Sequence, residues 1–578
     1  MAKIPSPPIW VTLLILYLII CGIRIWYSFA FAGPQSIPDA TAYDFIARSI
    51  IEGTFLSSGA YAYQYPPGYP FLLSISYLFG PDKIIIYHAQ LILNALVAGL
   101  VLFPAYLLLR DWCTKEIAVV GSVVIATLPS ISRSTGLIMS ENLFIPLVFF
   151  ALYFIYKAFK TDNQYIALIA GFLCFSVFIT RSIGITMLIA LVCGFMWYCY
   201  QHQKVSGSYI ESLRKKWALL AGAFFPFAFA FLATILIGGE APTARYHPIA
   251  TLTSYAQNIG TEYTTFLQTF LLNMDYVILV SYCIGTVIAI YVMYLYLRGD
   301  ITDVLNPNQK EGGQREKMAF HGMIGVAGSL LVLLALTPFY GGFMMIYGRY
   351  YDPLIPILFL FTMFGIQYLM YNRNIPKLHL YTIFAANILT SVFVVLTLQW
   401  NVHFDYTQNA VLLYLYSLPA SLGVTIIVLL FGMILPIFLL IGTKKAQVMR
   451  IFFVLIIAIN IITSIPMIQT GIEHSNNFDG VGAIGKYIQG NIDTNAVIFW
   501  DNSIIEDPFR NSIFYSLIDY WIVNDLQSAN LTHAVLFDDY SAIQDADYII
   551  TGLKGKRYAE PIYTSPSGAR LFTPEWYV

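Results

Sequence analysis

Charge is scarce in this chain. Lysine, arginine, aspartate and glutamate together make up 11% of its 578 residues, against roughly a quarter in soluble domains. A water-soluble fold of this length does not cover its surface with so few charges. Cysteine is scarce as well: six, all before residue 284 and none at a metal-ligand spacing, which excludes a disulfide-stapled or zinc-module class. The net charge is −1, so the basic field that nucleic-acid binding needs is missing. No Gly-rich phosphate loop occurs. What is abundant is apolar surface, at 58% hydrophobic residues, and that excludes disordered and collagen-like chains. The expected class is a polytopic α-helical membrane protein.

A spanning helix needs about 20 apolar residues to cross the hydrocarbon layer. Thirteen segments qualify: 9–31, 84–109, 116–132, 138–157, 164–180, 184–201, 217–238, 275–298, 318–340, 353–371, 377–400, 417–441 and 448–470. With the N-terminus inside, cytoplasmic segments carry 18 Lys/Arg and the outer loops six: Arg48, Lys83, Arg133, Arg181, Arg245 and Arg349. That bias supports both the orientation and an odd number of spans. Ala30–Gly33 mimics a signal-peptidase site, but the apolar run before it is long and its n-region has a single lysine; the first segment is expected to be retained.

The charge is also unevenly spread. Residues 1–470 hold 25 Lys/Arg and 18 Asp/Glu, whereas residues 471–578 hold 6 and 14. A transmembrane domain over 1–470 is therefore expected to carry an acidic, extracytoplasmic domain over 471–578. Ala496–Trp500, His533–Phe537 and Tyr548–Thr551 read as its short buried strands, alternating with helical stretches as in a small α/β unit. Asn530-Leu531-Thr532 is a glycosylation sequon on that side. Two outer loops are too long to be mere connectors, 32–83 and 239–274. In the first, Tyr43–Glu52 reads as an interfacial amphipathic helix closed by Gly53. Pro66–Gly80 fits a short extra helix or a re-entrant piece.

Four charged residues recur at outer helix ends: Asp39 past the first span, Glu141 in Ser140-Glu141-Asn142, Arg181 in Thr180-Arg181-Ser182, and Arg349 in Gly348-Arg349-Tyr350-Tyr351-Asp352-Pro353. A carboxylate at the membrane surface can take a proton from an acceptor hydroxyl. An arginine there can grip a phosphate with two parallel hydrogen bonds. Each has a plainer reading: Asp39 as the N-cap of the interfacial helix, Glu141 as a cap of its own helix, Arg181 as an interfacial anchor, and Arg349 as a snorkelling side chain or a partner of Asp352.

Taken in order, these residues resemble the GT-C superfamily of membrane glycosyltransferases, with protein O-mannosyltransferases and lipid A aminoarabinose transferases nearest in pattern. The shared features are Asp39, then Tyr43 and the Ala47-Arg48-Ser49-Ile50-Ile51-Glu52-Gly53 helix end, the Pro66-Pro67-Gly68-Tyr69-Pro70 loop, the Ser140-Glu141 helix opening and Gly348–Leu354. The resemblance covers roughly residues 1–360. It implies a monosaccharide donor linked to polyprenyl or dolichyl phosphate and an acceptor hydroxyl on a glycan, lipid or protein outside the membrane. It further implies an inverting transfer with Asp39 as general base, Arg349 and Arg181 at the donor phosphate, and Glu141, Tyr43, Asp44, Tyr65 and Tyr350 toward substrate. The expected location is the plasma membrane, and no cofactor is expected. Two departures stand out. Asp39 is followed by Ala40 where relatives have an acidic pair, and Tyr65 precedes Pro66-Pro67 where aminoarabinose transferases have lysine. Oligosaccharyltransferases share the thirteen-span layout, but their metal-binding Asp-x-Asp is broken here as Asp39-Ala40-Thr41, so a divalent metal is not favoured. The rivals of another class are a transporter or flippase of lipid-linked sugars, which would show internal repeats and midplane charges, and a non-catalytic envelope assembly protein.

Overall fold

The computed structural model describes residues 8–34, 38–54, 65–206, 208–236, 280–298, 314–336, 351–371 and 375–398. It also describes separate positions from 271 to 278 and from 453 to 496, and the strands of a C-terminal sheet with a few flanking positions. The helices run α1 (Ile9–Ser28), α2 (Pro38–Ile51), α3 (Gly68–Ser74), α4 (Lys83–Gly99), α5 (Leu102–Arg110), α6 (Lys115–Ala126), α7 (Pro129–Ser134) and α8 (Glu141–Lys160). They continue with α9 (Gln164–Thr180), α10 (Ile185–Ser206), α11 (Tyr209–Leu236), α12 (Ile284–Arg298), α13 (Gln314–Leu336), α14 (Leu354–Tyr371) and α15 (Lys377–Leu398). Among the described residues, Ile9–Ser28, Lys83–Arg110, Glu141–Lys160, Ser182–Gln203 and Arg315–Ala335 are each long and apolar enough to cross a membrane; Gln164–Thr180, Ile284–Arg298 and Leu354–Met370 are apolar but shorter. This is a polytopic helical membrane protein. The expected span 417–441 lies outside the described residues.

Local chemistry explains the places where helix bounds depart from the apolar runs. The run 116–132 is not one helix. It stops at Ala126, where the Thr127 hydroxyl donates to the Val123 carbonyl at 2.8 Å, and resumes at Pro129. Proline cannot continue a helix but is well placed to begin one. The interfacial helix begins at Pro38, five residues before the expected start, for the same reason. It ends in an Arg48–Glu52 pair one turn apart, followed by Gly53 at φ +72°, a conformation that costs glycine little.

The chain forms two compact units. One comprises Met1–Gly22, Leu96–Ser134 and Ser140–Met467; the other Ile23–Ala95, Thr135–Met139 and Ile468–Val578. In the first, α9 packs along α11 and α10 along α13. The α9–α11 crossing is close enough that a Cβ on Gly171 would lie 2.1 Å from the Leu219 carbonyl oxygen, and one on Gly222 2.3 Å from that of Leu168. Such small-residue contacts let helix backbones approach where lipid offers no hydrophobic drive to association.

In the second unit, the segment after α1 is pinned by hydrogen bonds. The Ser475 hydroxyl accepts from the Ala32 and Gly33 amides at 2.7 and 3.1 Å, and Tyr87 donates to the Gly33 carbonyl at 2.7 Å. Five strands form a sheet: β1 (Ile498–Asp501), β2 (Leu531–Val535), β3 (Tyr548–Thr551), β4 (Tyr563–Thr564) and β5 (Arg570–Phe572), in the order β2-β1-β3-β5-β4. β1 is parallel to both β2 and β3, with Ile498 opposite Leu531 and Tyr548. β5 is antiparallel to β3 and β4. The three strands expected from the sequence are the parallel ones. The β4–β5 hairpin, two and three residues long, is too short to show as periodicity.

Candidate active site

Asp39 lies in the first turn of α2, where the helix dipole favours a negative side chain. It is half-buried, and its Oδ1 accepts a hydrogen bond from the Tyr65 hydroxyl at 2.6 Å. An aromatic cluster sets that contact. The Tyr43 ring, one helical turn after Asp39, meets Tyr65 and Tyr69 edge-on, with centroids 5.2 and 5.1 Å away. Tyr69 in α3 is fully buried and donates to Asn94 Oδ1 at 3.0 Å, and Asn94 donates in turn to the Leu137 carbonyl at 2.9 Å. A chain of packed, hydrogen-bonded groups thus runs from α4 to the carboxylate. It joins three residues singled out in the sequence, Asp39, Tyr43 and Tyr65.

Asp44 belongs to a different network of the same unit. Its Oδ2 pairs with Lys83 Nζ at 2.7 Å, while Oδ1 accepts from Tyr77 at 2.7 Å and Gln90 at 2.6 Å. Acid and lysine are both almost wholly buried. Every oxygen of the carboxylate is engaged, so this geometry ties α2 to the start of α4.

The other unit holds a second buried cluster. Glu141, at the first position of α8, forms an ion pair with Arg181, which follows the last turn of α9. Asp352, two residues before α14, is only 1% exposed; its Oδ1 accepts from the Tyr276 hydroxyl at 2.7 Å, and its Oδ2 is buried without a hydrogen-bond partner. Burial, and after it the charge of Glu141, pushes Asp352 up to about 7, against the opposing pull of the Tyr276 hydrogen bond and Arg181. One guanidinium here faces two carboxyl groups, and the geometry keeps the cluster closest to neutral with a proton on Asp352. The sequence singled out Glu141 and Arg181. It offered Asp352 only as a partner for Arg349 and gave no signal for Tyr276, which follows Asp275 at the start of an apolar run. Arg349, Tyr350 and residues 239–270 of the second long loop fall outside the described residues. Among the described residues, no three His, Cys, Asp or Glu side chains converge as a metal site would need.

No protein-family model matches the chain, and neither does any curated relative. Solved structures do. ArnT from Cupriavidus metallidurans bound to undecaprenyl phosphate superposes with a TM-score of 0.55 at 11% identity, over 97% of this chain and 98% of that one. The fold is shared with ArnT. The apo form of the same protein gives 0.54 at 10% identity, covering 98% of both chains. An oligosaccharyltransferase from Archaeoglobus fulgidus, tethered to an acceptor peptide, matches over 71% of this chain and 55% of its own at 14% identity, with a TM-score of only 0.37. The ArnT likeness extends over residues of both units.

Proposed function

We propose that this protein is a membrane glycosyltransferase of the GT-C type, moving a monosaccharide from a polyprenyl- or dolichyl-phosphate donor to an acceptor hydroxyl on the outer face of a plasma membrane. The observation that carries the reading is the setting of Asp39. A membrane-surface carboxylate is held at a helix start by the Tyr65 hydroxyl, in a chain whose fold along nearly its whole length is that of a protein solved with undecaprenyl phosphate bound. In this reading Asp39 removes the acceptor proton as the acceptor oxygen attacks the anomeric carbon from the face opposite the phosphate. The glycosidic bond to phosphate breaks, and the lipid phosphate leaves with the bond's electron pair, inverting the anomeric centre. Because Glu141 already matches the charge of Arg181, the reading gives the leaving phosphate to Arg349, and to Arg181 the placing of Glu141 toward sugar or acceptor. Asp44, with both oxygens taken, serves to hold α2. Tyr43 and Tyr65 shape the wall around Asp39, and Tyr350 extends the strip beside Arg349. Thirteen spans, a cytoplasmic N-terminus and an outward C-terminal domain complete the proposal.

The test is release of free polyprenyl phosphate from a polyprenyl-phosphate sugar by the purified protein in the presence of acceptor. Asp39→Asn should lower that release by roughly 10²- to 10⁴-fold while leaving the thermal unfolding midpoint in place. Full activity in Asp39→Asn would remove the base assignment. Movement of the lipid-linked sugar across a bilayer without release would point to a flippase instead.

A further inference from the structure

At the end of the first unit's bundle that bears the 161–163 turn, a cleft opens between the close of α8, the end of α10 and the starts of α11 and α13. Its floor is the stacked pair Phe159 and Tyr198, with centroids 4.4 Å apart. Around the floor stand Lys160, His202, Lys215 and Arg315, against one acidic lining residue, Asp162. The lysine and arginine bias of the chain assigns this end to the cytosol.

Two cations of the cleft, Arg315 and Lys215, are held by pairs that an incoming anion can replace. Arg315, 74% exposed, reaches Asp162 only through a 3.4 Å contact; Lys215, 43% exposed, pairs with Glu211 one turn before it at 2.6 Å. Exposed pairs of this kind contribute little stability. Lys216, by contrast, is buried beneath the turn and donates to the Ala158 and Thr161 carbonyls and to Asp162, capping the end of α8. Burial would raise Asp162, yet Lys216, Arg315 and Lys215 together hold it below the usual carboxylate range, a sign that the local potential is positive. The exposed Arg214 adds to that potential. A second feature of α11 points to what carries the anion. Ile210, Leu213 and Trp217, spaced i, i+3 and i+7 on one face, are exposed, Ile210 at 76% and Trp217 at 59%, and Phe225 and Phe229 continue the apolar surface along the helix. A tryptophan beside lysines at a helix end is the pattern of a headgroup boundary.

We propose that this cleft binds the phosphate of an anionic phospholipid, whose acyl chains lie along the exposed apolar face of α11. Phosphate oxygens would take the hydrogen bonds of Arg315 and Lys215 in place of Asp162 and Glu211, with His202 beside them, while Lys160 keeps its 2.5 Å pair with Glu316 and adds only to the local positive potential. Basic pockets between helices on the cytoplasmic side suit such headgroups, each cation contributing to retention. The site is independent of the transfer chemistry proposed above.

The experiment is native mass spectrometry of the full chain released from phosphatidylcholine nanodiscs doped with phosphatidylglycerol. The wild-type protein should retain phosphatidylglycerol. The double variant Arg315→Gln/Lys215→Gln should retain it on the order of tenfold less, with Arg315→Lys near wild type and the exposed Lys115→Gln unchanged. Equal retention by the double variant with an unshifted unfolding midpoint would overturn the site. Displacement of the lipid by millimolar inorganic phosphate, with no preference for the lipid, would overturn the lipid as its source.

Discussion

At the level of single residues, two hydroxyl–carboxylate contacts carry most of what distinguishes this protein. Tyr65 donates to Asp39 at 2.6 Å from the position where the resembling aminoarabinose transferases place a lysine. A hydrogen bond to a charged acceptor is worth about 1.5–3 kcal/mol. Tyr65→Phe keeps the ring against Tyr43 but removes the donor, so polyprenyl-phosphate release should slow by roughly tenfold to a hundredfold, with little change in thermal stability. An unchanged rate would assign Tyr65 to packing alone. The second contact makes a statement about pH. Asp352 titrates near 7 when folded, above the roughly 3.9 of an unfolded aspartate, so folding takes up a proton between those values. The stabilisation is fully present below about pH 4 and is lost as pH rises through about 7, by on the order of 4 kcal/mol. Asp352→Asn keeps an acceptor for Tyr276 and removes the titration. Unfolding midpoints from pH 5 to pH 8 should therefore fall with pH in the wild type and lie nearly flat in Asp352→Asn. Parallel curves would show that Asp352 is not the titrating group.

Between elements, the Asp44–Lys83 pair is the most exacting tie, because a buried charge is tolerable only while its partner remains. Removing one member of such a pair costs about 3–5 kcal/mol. Lys83→Met should accordingly lower the unfolding midpoint sharply, and Asp44→Asn/Lys83→Met should recover much of the loss, a recovery that a plain packing defect would not show. Which elements exist was largely legible from apolar run length: α9 spans the expected 164–180, and α14 and α15 begin within a residue of their expected starts. What broke or shifted a helix was proline and hydroxyl chemistry at Thr127-Leu128-Pro129 and at Pro38, which an average over an apolar window smooths away. The network itself was illegible for a different reason. Lys83 read as one of six outer cations, and nothing in a linear pattern tells a topology lysine from one that reaches back 39 residues to a carboxylate.

Over the whole chain, the sequence separates a greasy region from an acidic one near residue 470, whereas the fold gathers Ile23–Ala95, Thr135–Met139 and Ile468–Val578 into one compact unit. Composition senses how apolar a stretch is; it cannot sense that Ser475 closes on Ala32 and Gly33, more than 440 positions away. That closure bears on the candidate base, since Gly33 lies six residues before Asp39 and its carbonyl also receives Tyr87. A chain truncated after Met467 keeps α1 to α15 but loses the Ser475 hydroxyl, leaving the two amides without their acceptor. The segment leading into α2 should then loosen. Trypsin cleavage after Arg48, which is held by Glu52 at the helix end, should become several-fold faster than in the full chain, and Ser475→Ala should fall between the two. If all three proteins were cut at the same rate, the C-terminal region would be a neighbour of the first loop without being its support, and the placement of Asp39 would rest on Tyr65, Tyr43 and α4 alone.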